Sequence, residues 1–156
     1  MHLTNGDLAP EFTLYDTEKK AISLSELKGN KVLLLFFPLA FTGVCTKELC
    51  SVRDDIGRYD HVQAKVYGIS VDSTYVLSKF KEEHHLNFPL LSDFNKEVSE
   101  KYGCLYDVFN GWMKGVSKRA AFVIDENGFI QYAEILDNAK DLPNFENIQS
   151  VLQKAG

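Results

Sequence analysis

An unbroken apolar run, Val32-Leu33-Leu34-Leu35-Phe36-Phe37, leaves few places in a fold where this chain can put it. Side chains along a strand alternate between two faces, so a run apolar at every position needs cover on both sides. That describes a central strand in a sheet with helices on each face. The run stops at Pro38, which has no N–H to satisfy and fixes the direction of the loop that follows. The loop delivers Cys45 to the first turn of a predicted helix. There the N–H groups lack intrahelical partners and sit at the positive end of the helix dipole, and both favour a thiolate over a thiol. Cys45 is therefore the first place to look for chemistry.

The flanking patterns fill in the class. Residues 9–16 read as a short strand, 16–19 as a turn and 21–23 as a second strand, together a hairpin. Residues 25–27 suggest a helical turn ended by Gly29. From Thr42 to about Asp60 one helix is predicted, with Leu49, Val52, Ile56 and Tyr59 at steps of three and four. Residues 64–70 are a second apolar strand, and 74–85 a helix with Val76, Leu77 and Phe80 facing inward. Residues 88–91 are extended, 95–102 a short helix stopped by Gly103. Residues 120–124 and 129–135 are strands joined by a turn at 125–128, and 144–154 is a closing helix. Strand–helix alternation closed by a hairpin is an α/β class: a mixed central sheet flanked by helices. The 156 residues are expected to form a single domain, 1–156, long enough to bury a core. Residues 103–119 are the least regular, and Trp112 with its aromatic neighbours reads as core or as a dimer contact.

Charge and cysteine usage exclude several classes. The formal net charge of −5 is spread along the chain with no basic stripe, so neither a nucleic acid nor an anionic membrane is an expected partner. The N-terminus has no secretory signal pattern, and the longest apolar run is far short of a membrane span. Three cysteines are an odd count, which with the missing signal points to a reducing, cytoplasmic setting. Cys45-x4-Cys50 is not CxxC and has no second Cys or His pair at ligand spacing, so no metal is expected. His84 and His85 read as solvated.

Around Cys45 the residue types converge. Thr42 stands three positions earlier, where its hydroxyl can accept a helix N–H as a cap or donate to a thiolate or a bound oxygen. Gly43 lets the backbone approach a ligand. Taken together, Pro38-x3-Thr42-x2-Cys45 resembles the peroxidatic motif of the peroxiredoxin family, Pro-x3-Thr/Ser-x2-Cys. Three more segments carry the same resemblance: Ala9-Pro10-x-Phe12, Phe88-Pro89-Leu90-Leu91-Ser92-Asp93, and Lys118-Arg119-Ala120-Ala121-Phe122-Val123-Ile124-Asp125. Residues 42–50 are similar to the bacterioferritin-comigratory, or Q-type, branch, which often has a second cysteine five residues on. Residues 36–43 resemble the AhpE-like branch, usually described as one-cysteine.

The resemblance implies a thioredoxin-like fold and a thiol peroxidase for hydrogen peroxide and alkyl hydroperoxides, with no cofactor. It makes Cys45 the nucleophile and Pro38 its shield. Thr42 would bond the peroxide, Arg119 would stabilise thiolate and leaving oxygen, and Glu48 would orient Arg119. Ionisation alone raises the thiolate fraction of an ordinary thiol at most roughly 30-fold at neutral pH. Donors aimed at the departing oxygen add about 10²–10³ each, so Thr42 and Arg119 matter for the transition state. The resemblance makes Cys50 the resolving cysteine and a thioredoxin-like or other thiol the reductant; Cys104, following Gly103 in the least regular segment, is the alternative. On one helix, Cys45 and Cys50 are about 8 Å apart and about 140° around the axis. A disulfide needs Cα atoms within roughly 7 Å, so the first turns must unwind for the pair to bond. Members of that family often dimerise through an edge surface, and the aromatic segment allows a homodimer here. The remaining alternatives are a one-cysteine peroxidase served by an external thiol, a general disulfide oxidoreductase, and a redox-sensing binding module.

Overall fold

The computed structural model describes residues 3–154. Its centre is β3 (Lys31–Phe36), and the period-two rule divides that strand between two cores. Leu33, Leu35 and Phe37 enter one cluster; Val32, Leu34 and Phe36 enter the other, and all six are at most 1% exposed. β3 pairs in parallel with β4 (Ala64–Ser70) and antiparallel with β6 (Arg119–Ile124). β5 (Leu90–Ser92) extends the parallel part beyond β4. The hairpin of β1 (Thr13–Asp16) and β2 (Ala21–Ser23) closes one edge, and β7 (Ile130–Leu136) closes the other. The sheet order is β2-β1-β5-β4-β3-β6-β7, a mixed seven-stranded sheet of the class the element order predicts.

Four helices cover the first cluster. They are α1 (Gly43–Asp54), α2 (Ile56–His61), α3 (Thr74–Glu83) and α5 (Phe145–Lys154), contributing Leu49, Val52, Tyr59, Leu77, Phe80, Ile148 and Leu152. The second cluster is covered by α4 (Glu97–Lys101) with Tyr102, and by the N-terminal segment through Phe12 and Leu24. The α3 cap is a serine: Ser73 Oγ accepts the Val76 N–H. Where the sheet is tightest, Gly68 is required, since a Cβ there would lie 2.7 Å from Leu90 Cδ2. No helix among the described residues is long and apolar enough to cross a membrane.

Several expectations need correction. The single helix predicted over 42–60 breaks at Asp55 (φ −104°, ψ 12°), whose N–H is shared among the Ser51, Val52 and Arg53 carbonyls. Both halves still bury the periodic residues, so the pattern alone carried no sign of the break. The strand expected from residue 9 starts at Thr13. The helix expected from 95 starts at Glu97, because Lys96 takes a left-handed conformation (φ 66°). Val76 is 39% exposed, leaving Leu77 and Phe80 as the inward pair. Trp112 is 76% exposed and belongs to neither core. His84, read as solvated, is half-buried with its ring 5.0 Å from that of Phe80.

Candidate active site

The sheet register brings the key side chains together. Phe36, the last residue of β3, pairs with Ala120, so Arg119 stands at the start of β6 beside the exit of β3. Alternation puts Arg119 on the face shared by Ala121 and Val123, the face that α1 covers. On α1 the buried positions are Cys45, Glu48, Leu49 and Val52, a single helical stripe. Cys45 and Glu48 therefore look at Arg119 from adjacent turns.

Arg119 makes three contacts from two nitrogens. Nη1 donates to Glu48 Oε1 at 2.6 Å, and Nη2 donates to Cys45 Sγ at 3.4 Å and to the Ala139 carbonyl at 2.9 Å. Cys45, Glu48 and Arg119 are each at most 1% exposed. Neither Glu48 Oε2 nor Arg119 Nε has a hydrogen-bond partner among the described residues, so a single short bond holds the ion pair. Burial pushes the Glu48 carboxyl up to about 7, and the Arg119 charge pulls it only part of the way back. Burial works against the Arg119 charge too, but Glu48 and Cys45 outweigh it and hold the guanidinium above its usual value.

The loop between β3 and α1 is anchored by a residue with no cysteine-motif signature. Asp72 Oδ2 accepts the Ala40 N–H at 2.8 Å and the Ser70 hydroxyl at 2.7 Å. Asp72→Ala leaves the buried Ala40 N–H unpaired, and urea unfolding should show a loss of about 1–3 kcal/mol; an unchanged midpoint would remove Asp72 from this role. Phe41 takes a left-handed backbone (φ 66°), unusual for a bulky residue, with its ring 5.1 Å from that of Phe80.

Thr42 occupies the N-cap position by backbone but does not cap with its side chain. Its hydroxyl donates to the Leu39 carbonyl at 2.7 Å, which corrects the capping expectation. The hydroxyl proton is committed to the loop, so the Thr42 oxygen is left to accept. The first intrahelical bond runs from Thr46 N–H to Thr42 carbonyl, so the N–H groups of Gly43, Val44 and Cys45 precede the ladder. Pro38 is buried at the base of the loop. The ensemble puts one guanidinium donor and its positive charge on the sulfur, at the start of a helix whose first N–H groups precede the ladder, with the Thr42 oxygen left to accept. It suits a sulfur that bears negative charge and an oxygen that departs with it.

The other cysteines differ in kind. Cys50 is half-buried on α1, against the same core as Cys45 but turned away from Arg119. Cys104 is fully buried in the opposite cluster, across the sheet from Cys45. Burial pushes its thiol up to about 12, with Ser117 as a partial offset. The Ala139 carbonyl and Asp72 escaped sequence reasoning. A main-chain acceptor leaves no residue signature, and Asp72 offered only its place after a parallel strand, where open α/β sheets gather their sites.

The comparisons with known proteins agree on one family. The AhpC/TSA family model matches residues 5–133. A Coxiella burnetii protein carrying the name peroxiredoxin bcp is 42% identical over 132 residues, covering 83% of this chain and 87% of that protein. The chloroplast peroxiredoxin Q of Oryza sativa subsp. japonica is 38% identical over 130 residues, covering 83% of this chain and 58% of that one. The crystal structure of the peroxidoxin BcpB from Mycobacterium tuberculosis superposes with a TM-score of 0.86 at 31% identity, over 98% of each chain. Similarity of that extent makes the mixed sheet a thioredoxin-like fold.

Proposed function

This chain belongs to the AhpC/TSA family of peroxiredoxins, and from that premise we propose that it reduces hydrogen peroxide and small alkyl hydroperoxides at Cys45. The observation that carries the reading is the Arg119 Nη2–Cys45 Sγ contact of 3.4 Å, backed by Glu48 in a site with almost no solvent exposure. In the first step the Cys45 thiolate attacks the terminal peroxide oxygen. An S–O bond forms and the O–O bond breaks, leaving a sulfenic acid and an alkoxide or hydroxide that takes up a proton. The Cys45 N–H and Arg119 donate toward the reacting oxygens as charge develops. The Thr42 oxygen accepts the peroxide O–H and so sets which oxygen faces the sulfur. Pro38 keeps water away from the thiolate.

Cys50 completes the reaction by forming a disulfide with Cys45, after the start of α1 unwinds. That start has no side-chain cap and no acidic residue in its first turn, so what holds it to the sheet runs through the Arg119 contacts to Cys45 and Glu48. Cys104 is a poor substitute, being across the sheet with a thiol that resists ionisation. A thioredoxin-like dithiol in a reducing, cytoplasmic setting then regenerates both thiols. The rival reading is a one-cysteine peroxidase served by an external thiol, favoured by the intact α1, which turns Cys50 away from Cys45.

Intact-mass spectrometry after one equivalent of hydrogen peroxide separates these. Wild type should lose two hydrogens, and Cys50→Ser should gain one oxygen. Gain of oxygen in both selects the one-cysteine reading, and loss of two hydrogens in both transfers the resolving role to Cys104. No rapid change in either removes the peroxidase reading.

A further inference from the structure

We propose that Tyr106 is a positioning residue for the peroxide reaction, acting on Cys45 through the Ala139 carbonyl and Arg119; the inference rests on the peroxidase reading above. Arg119 needs a second fixed point. Its guanidinium is planar and rigid. On the Glu48 side one bond holds it, from Nη1 to Oε1, while Glu48 Oε2 and Arg119 Nε have no partner among the described residues. A planar group held at one point pivots about it. The bond from Nη2 to the Ala139 carbonyl, at 2.9 Å, is the second point, and it leaves the other Nη2 hydrogen directed at Cys45 Sγ. The aim of Arg119 is therefore only as good as the placement of Ala139.

Ala139 sits in a strap, residues 137–141, that follows Leu136 at the end of β7. Asn138 shapes the strap from within: its Oδ1 accepts the Lys140 N–H and its carbonyl the Asp141 N–H, both at 3.0 Å. The strap's place over the site is set from outside, where the Tyr106 hydroxyl donates to the Asp137 carbonyl at 2.8 Å. Lys118 Nζ also reaches Asp137 Oδ1 at 3.0 Å, but the Asp137 side chain is 90% exposed, and an ion pair so open to water contributes little. Tyr106 is itself held firmly. Its N–H donates to the Val116 carbonyl at 2.8 Å, the Lys118 N–H donates to the Cys104 carbonyl at 2.6 Å, and its ring lies 5.1 Å from that of Phe109. That short ladder runs directly into Arg119 at the start of β6. Tyr106 thus ties the strap to the segment that delivers Arg119.

The chemistry makes that tie matter. A donor that serves the departing oxygen is most effective when it is already in place and does not reorganise as charge develops. A strap free to shift carries the Ala139 carbonyl with it and lets the guanidinium pivot about Glu48. The carbonyl itself cannot be removed by changing a side chain, so Tyr106 is the handle on it. Tyr106→Phe deletes the hydroxyl and keeps the ring against Phe109.

Stopped-flow oxidation by hydrogen peroxide tests the assignment. Tyr106→Phe should oxidise about fivefold more slowly than wild type, the worth of one neutral hydrogen bond. Lys118→Met should stay within about twofold. The same Tyr106→Phe change is then made in a protein carrying Arg119→Met with Glu48→Gln, which lacks the guanidinium and leaves no buried carboxylate unpaired. There it should cost nothing further, because residues acting through one group are not additive. Should that triple variant fold poorly, Asn138→Ala loosens the strap from within and should slow wild type by a similar factor. An equal loss from Tyr106→Phe with and without Arg119 marks a merely structural role and overturns the proposal. So does a wild-type rate in Tyr106→Phe or in Asn138→Ala, and so does a Lys118→Met slower than Tyr106→Phe, which moves the tie to the ammonium. A wild type that peroxide does not rapidly oxidise overturns the peroxidase reading and the role of Tyr106 with it.

Discussion

Arg119→Met should lower the rate constant for peroxide oxidation of Cys45 by about 10²–10³. The guanidinium is the only side chain hydrogen-bonded to the sulfur among the described residues, and both of its Nη nitrogens are engaged. One nitrogen is held by Glu48. The other is steered by the Ala139 carbonyl so that it points at Cys45. Such a donor needs no reorganisation when charge moves from sulfur to oxygen, which is why its loss weighs on the transition state more than on binding. Arg119→Lys should recover little, because one ammonium cannot reproduce the planar fork toward three acceptors. Removing Arg119 also leaves Glu48 buried without its partner, so folding must be separated from catalysis. The double variant Arg119→Met with Glu48→Gln removes the unpaired carboxyl. If it is folded and still slow in stopped-flow oxidation, Arg119 acts on the reaction. If it recovers to within about fivefold of wild type, the loss in the single variant was structural and the role assigned here is wrong.

How much of this site could be read in advance depended on whether a residue's signal was local. β3 and its two-sided burial followed from six apolar residues in a row, and Cys45 from the loop-to-helix step behind Pro38. Glu48 came only with the resemblance, and its spacing of three from Cys45 is what the structure shows to put it on the cysteine's face. Arg119 is different. It meets Cys45 across 74 residues through the Phe36–Ala120 register. No local pattern fixes that register, and only the resemblance at residues 118–125 pointed there. The Ala139 carbonyl and the Asp72 anchor depend on where whole loops settle. The same holds for Thr42: the capping rule considers the helix that follows it, but the Leu39 carbonyl behind it won the hydroxyl proton. For Trp112 only the core half of the expectation fails, for a related reason: an aromatic in a short irregular segment is assigned to the core by its type, while its exposure is set by the surrounding loop.

Glu48→Gln should change how stability depends on pH, in a direction opposite to that of an ordinary salt-bridged carboxylate. The Glu48 carboxyl is raised from 4.5 to about 7 in the folded protein. Below 4.5 it is protonated in both folded and unfolded chains and adds no pH dependence. Between 4.5 and 7 the folded chain keeps a proton that the unfolded chain has released, so stability falls as pH rises. Above 7 both are ionised and the penalty is constant, in all about 3 kcal/mol. Glutamine cannot titrate, so the variant should lack this fall and gain on wild type by about that amount between pH 4.5 and 8. Urea unfolding at a series of pH values measures the difference, and parallel curves for the two proteins would refute the buried, raised carboxyl. The same variant should oxidise Cys45 about tenfold more slowly at neutral pH, because an amide holds a guanidinium less firmly than a carboxylate does. A flatter pH profile of stability together with slower chemistry would mean that Glu48 is kept for where it puts Arg119, since desolvation makes the buried ion pair a poor source of stability.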